Sequence, residues 1–336
     1  MKVLVTGGLG FIGSHTAVEL LNNDYDVVLV DNLSNSSLSV LEGIAEITGK
    51  TPAFHKIDLR EPIKIQELFD EHPDIEGVIH FAASKAVGES VEKPLLYYEN
   101  NINALVFLLK EMQKREISNF IFSSSCTVYG QADELPIKEN APIKKAESPY
   151  GNTKKVGENI LEDLATADKN FKAISLRYFN PIGAHESALI GELPIGTPQN
   201  LIPYITQTMA GVRKELSVFG DDYPTPDGTA IRDYIYVVDL AIAHVVALKR
   251  LIENNNKANY EIFNLGTGKG NSVLEVINAF EDVTQQKLPY KIVARREGDV
   301  TAAYADTQRA KEELGWQTQY DIKHALKTAW KWQQKQ

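Results

Sequence analysis

A short apolar strand, Lys2–Thr6, runs into a loop with glycine at positions 7, 10 and 13, and the apolar period of a helix (Ala17, Val18, Leu20, Leu21) follows at once. Few stretches limit a fold more. A tight turn needs a residue without Cβ, and a pyrophosphate needs close approach of the backbone. The start of a helix then offers unpaired N–H groups and the positive end of its dipole. A second strand, Val27–Val30, ends at Asp31, 18 positions after Gly13. A carboxylate there meets the ribose hydroxyls of NAD and repels the 2′-phosphate of NADP. A glycine pattern alone is a weak signal. Strand, turn, helix, strand and acid together predict a dinucleotide-binding βαβ unit with NAD as cofactor.

The alternation continues. Leu41–Ile47 reads as helix, Ala53–Ile57 as strand, Ile65–Phe69 as helix and Gly77–Phe81 as strand. Tyr97–Lys114 reads as one long helix and Phe120-Ile121-Phe122 as the fifth strand. This pattern predicts an α/β fold, a doubly wound parallel sheet with helices on both faces. Asp58, Phe81-Ala82-Ala83 and Ser123–Thr127 follow strand ends, the ligand-bearing rim of such a sheet. From residue 181 the text changes: proline and glycine are frequent, and elements are shorter. Val237–Leu251, Val273–Val283 and Ile322–Trp332 read as helices, and Tyr260–Leu265 as a strand. The expected division is a dinucleotide domain at 1–180 and a smaller mixed substrate lobe at 181–336, with parts of 234–266 packing back on the first. The substrate site is expected in the cleft between them.

Composition excludes several classes. A chain of 336 residues with 43% hydrophobic and 24% charged residues is ordinary globular protein. No apolar run nears the roughly 18 residues of a membrane span, and the N-terminus does not read as a signal peptide. One cysteine, Cys126, permits no intrachain disulfide and suits a reducing cytosol. A net charge of −10 without a basic tail argues against nucleic acid. The seven histidines are scattered, with no H-E-x-x-H or C-x-x-C, so no metal site is expected.

Ser148-Pro149-Tyr150-Gly151-Asn152-Thr153-Lys154 opens a further helix, because Pro149 suits a first helical position and keeps Ser148 extended. Tyr150 and Lys154 then lie one turn apart on one face. A phenol titrates near about 10, and a neighbouring ammonium favours its ionised form. Such a pair can serve as a general base toward a hydroxyl. Among 14 tyrosines one such pair is expected by chance, so a surface Tyr beside a surface Lys stands as the plain alternative.

Gly7-x-x-Gly10-x-x-Gly13 together with Tyr150-x-x-x-Lys154 resembles the extended short-chain dehydrogenase/reductase superfamily, of Rossmann-type fold. Lys85–Ser90, Ser123–Gly130, Leu176–Pro181, Arg232–Ile235 and Arg295–Asp299 are similar, more narrowly, to its sugar-nucleotide epimerases. The resemblance implies inversion of C4 of a UDP-hexose through a 4-keto sugar. Tyr150 would be the base, Ser125 its proton relay, and Lys154 the group that holds the nicotinamide ribose and lowers the Tyr150 pKa. It implies that Phe11, Ile12, Asp31, Asn32, Asn35, Ser36, Asp58, Leu59, Phe81, Ala82, Ala83, Lys85, Asn100 and Phe179 grip NAD. Leu59 and Phe179 read equally as core, and Asn100 as a partner for helix backbone. For the substrate it implies Arg232 and Arg296 at the pyrophosphate, and Asn180, Asn200 and Leu201 beside it. Asp299 would take ribose hydroxyls, and Ser217 and Phe219 would bracket the uracil. The arginines read equally as surface ion pairs. Where glucose-restricted members carry tyrosine this chain has Ala303, with Tyr304 next to it. The expectation is that UDP-GlcNAc and UDP-GalNAc are also accepted.

The first rival is a dehydratase or decarboxylase of the same fold, but Ser125-Cys126-Thr127 offers no carboxyl to drive elimination. The second is a non-enzymatic NAD sensor, which has no use for Tyr150, Lys154 and Ser125 together. By the same resemblance the chain is expected to pair as a homodimer through Tyr97–Lys114 and Tyr150–Ala167.

Overall fold

The computed structural model describes residues 1–296 and 299–336; Glu297 and Gly298 of the Arg295–Asp299 segment lie outside the described residues. The chain begins β1 (Lys2–Thr6), α1 (Phe11–Asn22), β2 (Asp26–Asp31), α2 (Ser39–Thr48), β3 (Ala53–Lys56), α3 (Pro62–Glu71) and β4 (Ile75–His80). It continues α4 (Val87–Glu92), α5 (Pro94–Tyr98), α6 (Ala104–Lys114), β5 (Asn119–Ser123), α7 (Pro149–Ala167) and β6 (Lys172–Tyr178). There follow β7 (Asn180–Ile182), α8 (Leu201–Met209), β8 (Leu216–Phe219), β9 (Ile231–Arg232), β10 (Tyr234–Tyr236), α9 (Val237–Ile252) and β11 (Tyr260–Leu265). Last come β12 (Asn271–Ser272), α10 (Val273–Thr284), β13 (Tyr290–Val293), β14 (Ala302–Ala303) and α11 (Ile322–Gln333).

Seven strands form one sheet in the order β11-β6-β5-β4-β1-β2-β3. The neighbours from β6 to β3 pair in parallel. Val3, Leu4 and Val5 of the central β1 are fully buried, as both-face coverage by helices requires. On one face Leu4, Val30 and Phe120 pack with Ile65 of α3, Leu105 and Leu108 of α6, and Leu161 of α7. The strand order turns back between β1 and β4, the crevice where doubly wound sheets bind ligands. The loops after β1, β2, β4 and β5 all leave from the carboxyl ends of their strands. They carry Gly7, Asn32, Phe81 and Ser125 respectively.

Two compact units are distinguished: residues 1–130, 142–177 and 241–263, and residues 131–141, 178–240 and 264–336. The assignment of 131–141 to the second unit differs from a simple division at 180. Its physical cause is backbone pairing. Ile137 N donates to Tyr304 O at 2.9 Å and Asp306 N donates to Ile137 O at 2.8 Å; the Asn264 side chain adds a further bond to Ile137 O at 2.8 Å. The second unit is built of small sheets, β7 with β10, β8 with β13, and β9 between β12 and β14. Its helices α10 and α11 meet through Phe280 and Trp330, edge to face at 5.9 Å.

The long helix expected over Tyr97–Lys114 is interrupted. Glu99–Asn103 is a π-helical turn between α5 and α6. That wider turn presents Asn100 and Asn101 together to the loop after β4. Asn100 Nδ2 donates to Ser84 Oγ at 3.1 Å, and Asn101 Oδ1 accepts from Ser84 N at 2.8 Å.

Candidate active site

The glycine loop is held by its own backbone and by the Asp31 carboxylate. Gly10 N donates to Gly7 O at 3.0 Å, and α1 begins without a side-chain cap. A Cβ at Gly13 would lie 2.2 Å from Gly7 O, and one at Gly7 would lie 2.8 Å from Ala82 N. Gly7 also has φ +65°, a conformation that favours glycine. The result is a cradle of bare backbone at an uncapped helix start, which fits a pyrophosphate. Asp31 fixes its far wall: it accepts from Leu9 N at 3.1 Å, Leu33 N at 2.9 Å and Ser36 Oγ at 2.8 Å. Asp58 accepts from Asn32 Nδ2 at 3.3 Å and from Arg60 Nη2 at 2.7 Å. The Arg60 guanidinium holds the Asp58 carboxyl at a pKa of about 2, below the ordinary carboxylate range. Phe81 packs on His244 at 4.7 Å between ring centroids, and Leu59 is buried. Ala82 and Ala83 lie in the loop after β4 with Lys85, which is exposed. Ile12 and Phe11 start α1, and Asn35 lies in the loop between β2 and α2.

Ser148 caps α7 by accepting from Gly151 N at 3.1 Å, with Pro149 in the first turn. That cap sets Tyr150 and Lys154 on one face. The Lys154 ammonium lies 6.0 Å from the centroid of the Tyr150 ring and donates to Ser123 O at 2.6 Å. Ser125 follows the end of β5 close to the Tyr150 phenol, whose ionised form it favours. The Ser125 oxygen itself accepts from Thr127 N at 3.2 Å and Thr127 Oγ1 at 3.0 Å. Its own hydrogen is therefore left to donate toward the phenol oxygen, which favours the phenolate.

Burial acts against both ionised forms. The Tyr150 phenol is pushed up to about 12, with the Ser125 hydrogen bond pulling the other way. Lys154 is pushed down to about 8, against the opposing pull of Glu158. In the protein alone desolvation dominates the Tyr150 pKa, and the net direction is upward. Beneath the pair, Glu158 accepts from Arg177 Nε at 2.9 Å, Arg177 Nη2 at 2.6 Å and Ser124 Oγ at 2.5 Å. Arg177 Nη1 also donates to Tyr129 OH at 2.9 Å. His80, bonded to Thr6 Oγ1 at 2.8 Å, is held near pKa 3 by burial and by Lys154, and so stays neutral.

In the second unit, Asp299 gathers two guanidiniums. Arg296 Nη2 donates to it at 2.7 Å and Arg232 Nη2 at 3.4 Å. The Arg296 guanidinium lies 5.8 Å from the ring centroid of Phe219, which shares one face of β8 with Ser217. Ala303 of β14 is the register partner of Arg232 on β9, so both side chains leave the same face. Tyr304 leaves the opposite face, where a Cβ at Gly270 would lie 3.1 Å from its ring. Asn180 starts β7; Asn200 precedes α8 and donates to Glu192 Oε1 at 2.6 Å, with Leu201 next. Phe179 is buried, its N–H bonded to Leu265 O at 3.3 Å.

Residues 4–329 match the family model described as GDP-mannose 4,6 dehydratase. A UDP-glucose 4-epimerase of Pasteurella multocida is 51% identical over 335 residues, which cover 100% of this chain and 98% of that protein. The chain belongs to the UDP-glucose 4-epimerase family. Solved epimerase structures agree. The enzyme of Stenotrophomonas maltophila, with bound NAD and formylated UDP-arabinopyranose, has a TM-score of 0.96 at 50% identity, covering 100% of this chain and 98% of that one. The Bifidobacterium longum enzyme, in complex with NAD+ and UDP, has a TM-score of 0.95 at 49% identity, covering 100% and 98%.

Of the residues that the epimerase resemblance implies, the fold brings Tyr150, Lys154 and Ser125 into one cluster, and Ser217, Phe219, Arg232, Arg296, Asp299 and Ala303 onto neighbouring strands and loops of the second unit. The sequence reading passed over Ser123, whose carbonyl anchors Lys154, and the Glu158–Arg177 pair under it. One signal was available: Lys154 and Glu158 are four apart, facing neighbours on a helix. The link to Arg177 joins α7 to β6, which no local pattern reveals.

Proposed function

We propose that this protein interconverts UDP-glucose and UDP-galactose with tightly held NAD. The observation that carries the reading is Ser125 beside the phenol of Tyr150, with the Lys154 ammonium 6.0 Å from the Tyr150 ring, in a chain of this family. NAD, when bound, would supply a hydride acceptor and donor for C4 of the hexose and a positive charge that favours the phenolate of Tyr150. The glycine cradle at residues 7–13 would hold its pyrophosphate, and Asp31 would take its ribose hydroxyls.

Tyr150 removes the proton of the 4-hydroxyl and later gives it back. Ser125 donates to the same oxygen, so proton transfer has a short path. Lys154 cannot swing away, because Ser123 O holds it and the Phe122 ring lies 5.0 Å from its nitrogen. Epimerisation requires that the keto sugar present its other face, so binding must rest on the nucleotide. Arg232 and Arg296 grip the pyrophosphate with donors not spent on Asp299, since a guanidinium has five N–H groups. Ser217 and Phe219 bracket the uracil, and Asn180, Asn200 and Leu201 flank the phosphates.

A finer reading concerns breadth. Ala303 shares a face with Arg232, while Tyr304 is turned away. We infer that the space beside the sugar 2-position admits an acetamido group, and that UDP-GlcNAc and UDP-GalNAc are also substrates. The protein is further read as a cytoplasmic homodimer that pairs through the α5–α6 helix and α7; light scattering showing a monomer would refute the pairing.

The family model's dehydratase name raises the rival chemistry. Glu158, the carboxylate bonded to Ser124, is neutralised by Arg177 and so is not free to drive an elimination. Incubating the purified protein with UDP-galactose and following the product by NMR separates the two. UDP-glucose is expected; a 4-keto-6-deoxy sugar would refute the epimerase reading.

A further inference from the structure

The histidines are not all scattered once the chain folds. His55 on β3 and His72, just past the end of α3, bring their Nε2 atoms to 2.8 Å. Glu71 Oε1 stands 3.9 Å from the first and 4.0 Å from the second. The two rings meet edge to face, with centroids 5.0 Å apart. Both imidazoles are largely buried, with side chains 21% and 13% exposed, whereas Glu71 is 64% exposed. This cluster uses none of the residues assigned above to catalysis or to binding.

From the convergence of these three donors we propose that His55, Glu71 and His72 bind a divalent transition ion of the Zn2+ class. Two imidazole nitrogens and one carboxylate oxygen are a donor set that suits such ions, with solvent in the fourth place. Tetrahedral ligands at about 2.0–2.1 Å from a metal stand about 3.3 Å from each other. The nitrogens must therefore part by a few tenths of an ångström and the carboxylate close in by somewhat more. Both changes need only side-chain rotation, and exposed Glu71 is free to make it. Without a metal the two nitrogens can share a single proton in a hydrogen bond, since two imidazolium rings would repel at this distance. The ion replaces that proton and requires both rings neutral; burial favours the neutral form of His72.

The site would clip the edge strand of the sheet to the helix that follows it. β3 pairs only with β2 among the described residues, and the chain leaves β3 directly into Asp58. A metal there would tie down an edge strand that ends two residues before Asp58 on the expected cofactor rim. Its role is structural, distinct from the chemistry at Tyr150.

Isothermal titration of the chelator-treated protein with ZnCl2 at pH 7.5 tests this directly. One equivalent is expected to bind in the micromolar range or tighter, and His72→Ala or His55→Ala is expected to weaken it at least tenfold. Glu71→Gln, at an exposed position that tolerates change, should weaken it about tenfold and keeps the test usable if a histidine variant fails to fold. Electron paramagnetic resonance of the Cu2+-loaded protein should show two imidazole nitrogens, reduced to one in the folded histidine variant. Absence of stoichiometric Zn2+ binding to the wild type, or binding that all three substitutions leave unchanged, would overturn the proposal.

Discussion

Arg177 and Glu158 form a two-pronged ion pair, with Nη2 2.6 Å and Nε 2.9 Å from the carboxylate oxygens, buried one helical turn below Lys154. The carboxylate is the nearest charge that favours a protonated Lys154. Replacing it should therefore act twice. Glu158→Gln leaves Arg177 without its counter-charge and should destabilise the protein by roughly 3–5 kcal/mol. It should also lower the Lys154 pKa below its present value of about 8. Denaturant unfolding reads the first effect, and the alkaline limb of the kcat–pH profile, moved to lower pH, reads the second. A merely structural role would leave that limb in place.

The depressed Lys154 pKa has a consequence for stability. Unfolded, the side chain titrates near 10.5; folded, near 8. Between those values the unfolded chain binds the extra proton, so this group makes the native state more stable as pH rises from about 8 to 10.5. Below pH 8 the charged ammonium is buried at full cost. Tyr150 works in the opposite sense, holding its proton up to about 12 against 10 when unfolded, so it withdraws stability only above pH 10. Between pH 8 and 10 the unfolding free energy of wild type minus that of Lys154→Met should therefore increase with pH. A flat difference would show that Lys154 is not desolvated as described.

The glycine cradle makes a steric prediction. A methyl at residue 13 would press on Gly7 O at 2.2 Å, a backbone atom with no rotamer to yield. Gly13→Ala should shift the loop and reduce the NAD retained on purification by at least tenfold. The ring system of Tyr150 lies elsewhere and should be undisturbed, as near-ultraviolet circular dichroism would report. By contrast Gly49→Ala meets no atom within 4 Å and should spare the cofactor, although its φ of +67° brings some strain.

The proposed role of Ala303 in substrate breadth is open to direct test. If it leaves room beside the sugar, Ala303→Tyr should cut kcat/KM for UDP-GalNAc by two orders of magnitude or more and leave UDP-galactose within a few-fold. Steady-state assays with both sugars decide this. Wild-type turnover of UDP-GalNAc far below that of UDP-galactose would remove the premise.

The cofactor half was open to sequence reading because its signals are local. Gly7, Gly10, Gly13 and Asp31 lie within one βαβ unit, and Tyr150 and Lys154 within one helical turn. The relationships that escaped are long-range or subtle in period. His55 meets His72 because β3 and α3 fold back on each other. Arg177 meets Glu158 because β6 lies next to α7's buried face. Residues 131–141 join the second unit through bonds to Asn264 and Tyr304, more than 120 positions away. The π-helical turn at Glu99–Asn103 preserves an apolar helix pattern on both sides, and so looked like unbroken helix. The sign of the Tyr150 pKa shift also needed the fold, since desolvation is set by what surrounds a group and not by its neighbour four residues on.

Everything in the mechanism passes through the Tyr150 oxygen. The direct test is turnover of UDP-galactose by Tyr150→Phe, which keeps the ring and removes only the hydroxyl. General acid–base catalysis of this kind contributes about 10²–10⁴-fold, so kcat should fall by about that factor while NAD content stays at the wild-type level. A variant that keeps its NAD and turns over within a few-fold of wild type would contradict the account.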